Sequence, residues 1–227
     1  MRGLVVLLLV AAAAAQDLPH AFPREGTRQI YEDDYVRAWD VTWPLHKRTP
    51  LHRHQFDYVG VELADAKVLV TPVDGVAKEV VLKRGGIFVL PKGTAHVEEG
   101  ISEPGRHAVI LDLKDVPVTG MFSSAGGPVF DARNARKLAE TERIVVWDFT
   151  WPLAPKADYR YYETNAYLLI VDGGELTTSL GDRKTQRRKV AEGEVVVRRI
   201  GPSYGEFASK GRVQAIVVVL KPRAKTQ

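Results

Sequence analysis

The stretch TPLHRHQFDYVGVEL places His52 and His54 two residues apart. On a β-strand, residues at that spacing point to the same side, so the two imidazoles can converge on one metal ion. Downstream, GGIFVLPKGTAH, residues 85–96, closes on a third imidazole, His96. Neutral nitrogen ligands from three directions suit a divalent transition metal: Fe(II), Mn(II), Ni(II), Cu(II) or Zn(II). They leave coordination positions open for water, dioxygen or a chelating small molecule.

Such ligands need strands to carry them, and the local pattern supplies strands. Runs such as YVRAWDVTW, KVLVTPV, KEVVL and HAVILDL are rich in β-branched and aromatic residues and are separated by Gly, Pro and Asp, the signature of a sandwich or barrel. The chain also repeats itself. WDVTWPL at 39–45 returns as WDFTWPL at 147–153, an offset of 147 − 39 = 108, and the same offset aligns Phe22 with Phe130, Gly85 with Gly193 and Gly93 with Gly201. Register without a gap from Phe22 to Glu98 reads as one fold present twice. Trp39, Val41 and Trp43 alternate onto one face of their strand, as do Trp147, Phe149 and Trp151, so each copy drives aromatic surface into its core. DARNARKLAE (131–140) has helix-forming composition, but its repeat partner PREGTRQIYE does not, so the segment is expected to be extended. RKTQRRKV (183–190) reads as a solvent-facing hairpin strand.

The second histidine element resembles the second motif of the cupin superfamily, matching it in Gly85, Pro91, Gly93 and His96. The first motif is matched in His52 and His54 and then departs, with Tyr58 or Val59 where the family's glutamate ligand would fall. The resemblance implies an all-β chain of two tandem cupin domains, each a double-stranded β-helix or jelly-roll barrel. It implies a metal site on His52, His54 and His96 of the first. Asp57, sharing a strand face with Val59, Val61 and Leu63, is then the expected catalytic proton acceptor or fourth ligand, while Glu62 should face solvent. Glu98 recurs as Glu206 and reads as structural. Through the offset the ligand positions become Arg160, Tyr162 and Tyr204, so the second barrel should be metal-free. Those three residues lend themselves either to packing or to a small anion pocket.

The expected division is a leader at 1–15, a first domain at 16–117, a linker at 118–129 and a second domain at 130–227. MRGLVVLLLVAAAAA has the basic, apolar and small-residue zones of a signal peptide, which predicts export to a periplasm or the medium. Its apolar run is short of the about 20 residues that span a membrane, so no membrane partner is expected after cleavage. With Arg2 removed, 31 basic residues face 28 acidic ones, a balance too mild to argue for nucleic acid. No cysteine is present, which excludes disulfides, thiolate ligands and thiol nucleophiles. Exposed barrel edges leave a homodimer open. Three functions fit: a dioxygenase-like metalloenzyme acting on a small organic molecule, a binding protein for a metal or small ligand, and a structural barrel whose histidines are remnants.

Overall fold

A computed structural model describes residues 18–73, 75–119, 134–153, 158–180, 183–200 and 203–222, with the backbone alone at 158–161, 180, 183–184 and 203. The leader and nearly all of the expected linker lie outside these residues.

Among the described residues, nine strands form the first repeat: β1 (Thr27–Glu32), β2 (Val36–Trp43), β3 (His52–Arg53), β4 (Asp57–Glu62), β5 (Ala66–Pro72), β6 (Lys78–Leu82), β7 (Ile87–Leu90), β8 (Ala95–Gly100) and β9 (Arg106–Leu113). Nine more follow: β10 (Ala135–Glu140), β11 (Ile144–Thr150), β12 (Asp158–Tyr161), β13 (Ala166–Asp172), β14 (Gly174–Leu180), β15 (Arg183–Val190), β16 (Val195–Arg198), β17 (Ser203–Lys210) and β18 (Gln214–Leu220). Each repeat closes from a five-stranded and a four-stranded sheet. The orders are β1-β2-β9-β4-β7 with β3-β8-β5-β6, and β10-β11-β18-β13-β16 with β12-β17-β14-β15. Adding nine to every strand number of the first repeat reproduces the second.

The correspondence reaches local irregularities. β1 slips register between Gln29 and Tyr31, and β10 slips at the positions 108 further on, between Lys137 and Ala139. The helix-forming composition of β10 is therefore overridden by pairing with β11, as expected. β15 forms the edge of its sheet, and its residues 185–189 are exposed, as expected of a solvent-facing hairpin strand. A basic edge of this kind repels a further strand.

Three apolar clusters hold the molecule together. Trp39, Val41, Trp43, Tyr58, Ala108 and Ile110 fill part of the first barrel, with Phe22 and Phe88 packed against them. A larger, largely aliphatic set around Phe149, Trp151, Leu168 and Val217 fills the second. The third lies between the barrels, where Val59, Val61, Leu111 and Leu113 meet Val146, Leu169, Ile216 and Val218. Each five-stranded sheet is thus buried on both faces, and each such aliphatic side chain contributes roughly 1.5–3 kcal/mol through burial.

Candidate metal centre

β3 is only two residues long, yet its register puts His52 directly opposite His96 of β8. The His54 amide donates to the Thr94 carbonyl at 2.9 Å, and the Gly93 amide donates to the His54 carbonyl at 2.8 Å. Gly93 has φ 85°, a left-handed conformation that glycine adopts without Cβ strain. That turn swings β8 back against β3 and brings the three rings together, with centroids 5.3, 4.8 and 5.3 Å apart. Their ligating nitrogens lie within 4.8 Å of one another, and all three residues are buried.

The rings are held from behind. Nδ1 of His52 lies 2.9 Å from the Pro50 carbonyl, which can only accept, so Nδ1 carries the proton and Nε2 keeps its lone pair. Tyr58 stacks on His54 at 3.8 Å, and Phe22 meets the same ring edge-on. Desolvation lowers the pKa of all three imidazoles, and that of His54, further depressed by His96 and His52, falls to about 3. They are therefore neutral, which is the ligating form. His54 Nδ1 and His96 Nε2 are buried without a hydrogen-bond partner. An orphaned buried polar atom costs about 1–3 kcal/mol, and a cation among the rings would satisfy such atoms. The donor set thus fits a divalent transition metal.

A buried ion network adjoins the trio. Arg106 donates from Nη2 to Glu62 at 2.7 Å and from Nη1 to Glu98 at 2.7 Å, and Trp43 Nε1 donates to Glu98 at 2.9 Å. The guanidinium also lies over the Trp43 ring at 4.0 Å. Burial would push Glu98 up, but the neighbouring positive charge, Arg106 foremost, outweighs it and holds the carboxyl well below its usual range. Glu98 Oε2 stands 3.9 Å from His96 Nε2.

The three histidines, Trp43, Glu98 and Arg106 line a cavity of about 240 Å³ whose wall is completed by Arg24, Thr94 and otherwise apolar side chains. Val80 of β6 and Leu90 of β7 line it and are each more than a third exposed. The opening therefore lies where the edge strands of the two sheets part. Gly60 keeps the inside clear, since a Cβ there would come within 2.2 Å of the Phe88 ring.

No protein-family model matches the sequence, and no curated protein does. Solved structures do. Oxalate decarboxylase from Lactobacillus farciminis, in a formate complex, superposes with a TM-score of 0.61 at 8% identity, over 87% of this chain and 81% of that one. AerE from Microcystis aeruginosa gives 0.59 at 10% identity, over 86% and 97%. A cupin 2 conserved barrel domain protein from Leptotrichia buccalis gives 0.51 at 12%, over 86% and 88%. This chain has the bicupin fold.

Two expectations are corrected. Asp57 does not join the convergent trio. Its carboxylate accepts the Lys92 amide at 2.8 Å and Arg143 of the second repeat at 2.7 Å. Glu62, expected in solvent, is buried beside Arg106. One cause explains both. The strand parity is opposite to that assumed: Asp57, Val59 and Val61 face the other barrel, while Tyr58, Gly60 and Glu62 face the interior of the first, against His54, Phe88 and Arg106. Sequence reading missed Arg106 as a cavity group and Glu62 as its buried partner. The signal was internal, since Glu62 and Arg106 are replaced by Ile170 and Gln214 in the copy without histidines.

Glu98 repeats in structure as in sequence. Trp151 donates to Glu206 at 3.3 Å, and Glu206 pairs with Arg198 as Glu98 pairs with Arg106. At the positions of His54 and His96 the second barrel carries Tyr162 and Tyr204, buried with ring centroids 5.9 Å apart. The side chain of Arg160 lies outside the described residues.

Proposed function

We propose that His52, His54 and His96 bind one divalent transition-metal ion and that the first barrel is a metalloenzyme acting on a small organic molecule, dioxygenase-like in type. The observation that carries this is the pair of buried imidazole nitrogens, His54 Nδ1 and His96 Nε2, left without partners inside a converged and neutral trio. A fold neighbour, the Bacillus subtilis oxalate decarboxylase, has Mn(II) centres. When bound, such an ion would polarise a chelating substrate and support oxygen chemistry. The chain's own residues orient and seal: Pro50 fixes the His52 tautomer, Tyr58 holds the His54 ring, and the apolar wall of the cavity limits water. Glu98, held ionised by Arg106, is the carboxylate that stands near the trio, 3.9 Å from His96 Nε2.

A second reading, a cupin that binds a metal or small ligand without turnover, is favoured by one fact. Glu62 and Glu98 are both tied to Arg106, so neither is free as a proton acceptor.

Metal content of purified protein, compared with a His52→Ala/His54→Ala variant, tests the centre. About one equivalent is expected in the native chain and none in the variant. Equal, near-zero metal in both leaves only a structural barrel. Oxygen uptake by Fe(II)-loaded protein with chelating phenols, diketones and thiols then separates enzyme from binder. Export stays with this proposal, and N-terminal sequencing of secreted material is its test.

A further inference from the structure

Arg24 lines the same cavity as the three histidines, yet neither the fold nor the metal accounts for it. Its Nη1 donates to the Glu25 carbonyl at 2.9 Å. Its Nε and Nη2 are buried and have no acceptor. Those two nitrogens form the side-on edge of the guanidinium, two parallel N–H donors spaced to meet both oxygens of one carboxylate. The group is held in place by its stack on Trp43, 5.0 Å from the ring centroid. Glu98 is near enough to act on Arg24 through its charge, but no hydrogen bond joins them.

The internal repeat serves as a control. Trp43 and Glu98 keep their identities at 151 and 206, whereas His52, His54 and His96 become Arg160, Tyr162 and Tyr204. Arg24 goes with the histidines, since its counterpart is Ala132. A residue needed to build the barrel would be expected in both copies. Arg24 instead accompanies the metal-site residues.

We infer that Arg24 is the ligand-recognition residue of this centre and that the molecule bound there is a small carboxylic acid, its carboxylate gripped by Nε and Nη2 of Arg24 beside the metal. This rests on the metal reading above and narrows its substrate class. A cavity of about 240 Å³ restricts that class to acids of a few carbon atoms.

The test is calorimetric titration of the full chain, loaded with Mn(II), with acetate, malonate and the neutral amides acetamide and malonamide. Metal content is measured on every sample. Native protein should bind a carboxylate and neither amide. Arg24→Gln should lose at least about tenfold in affinity at unchanged metal content, and Arg24→Lys, which keeps the charge without the fork, should also lose most of it. Thermal unfolding of each variant establishes that it is folded. Equal affinity in native and Arg24→Gln protein, or native protein that takes up neither acid, overturns the inference. If native protein carries no metal, the metal reading fails by itself. The same titrations on metal-free chain then decide for Arg24 by whether carboxylate affinity depends on it.

Discussion

Arg84 of the first barrel pairs with Glu192 of the second, the residue standing 108 positions further on. A position that meets its own repeat counterpart lies close to a two-fold axis. The neighbouring contacts agree: Val171 closes the space beside Gly85, and Leu63 closes the space beside Gly193, each pair being the other shifted by the repeat. The two barrels therefore meet as an isologous dimer would, fused into one chain.

Arg84 also bonds the Val171 carbonyl and pairs with Asp172 at 3.0 Å. Arg84→Glu would set a third carboxylate beside two others and should cost about 1–3 kcal/mol in urea unfolding. Adding Glu192→Arg should recover part of that loss. Unchanged stability in the single variant would remove this contact from the forces joining the barrels.

Arg106→Met leaves Glu62 and Glu98 buried without their counter-ion, and a loss of about 3–5 kcal/mol is expected. Combining it with Glu62→Gln and Glu98→Gln should restore much of the stability, because the cost lies in the stranded charges. Urea midpoints of the single and triple variants check both statements.

Asp112 accepts the Trp39 indole N–H at 2.8 Å, and burial raises its pKa from 3.8 to about 6 despite that bond. Below about pH 4 the carboxyl is protonated whether the chain is folded or not. As pH rises through 6 the folded chain must ionise it in a desolvated place, and stability falls by roughly 3 kcal/mol at most. Asp112→Asn keeps the acceptor for Trp39, so it should be more stable than native protein at pH 7 and lose that advantage near pH 4. Thermal melts at the two pH values test the sign.

Removing metal should lower the unfolding temperature of native protein and leave His52→Ala/His54→Ala unchanged, because the converged site exists only in the folded chain. At a free metal concentration of about a hundred times Kd the difference corresponds to roughly 2.7 kcal/mol. Scanning calorimetry with and without a chelator measures it.

A good part of this fold was legible in the sequence. The 108-residue offset carried the doubled fold and the extended state of β10, where composition alone would have favoured helix. The spacing of His52 and His54, with His96 after its Pro-Lys-Gly turn, carried the converged trio. Asp57 and Glu62 were misplaced for a specific reason. β4 is apolar on both sides because one face fills the barrel and the other packs on the second barrel, so alternation along DYVGVE does not say which face looks inward.

Sequence by itself determined the strands, the repeat and the identity of the convergent imidazoles, because period, turn residues and ligand spacing are local properties of the chain. Tertiary structure alone decided which face of β4 meets the cavity, that Arg106 bridges Glu62 and Glu98 across 44 and 8 residues, and that the Nε and Nη2 of Arg24 are left without acceptors. Those facts depend on how two sheets close and where a second barrel shuts out water. Burial and charge pairing between distant strands leave no period along the chain.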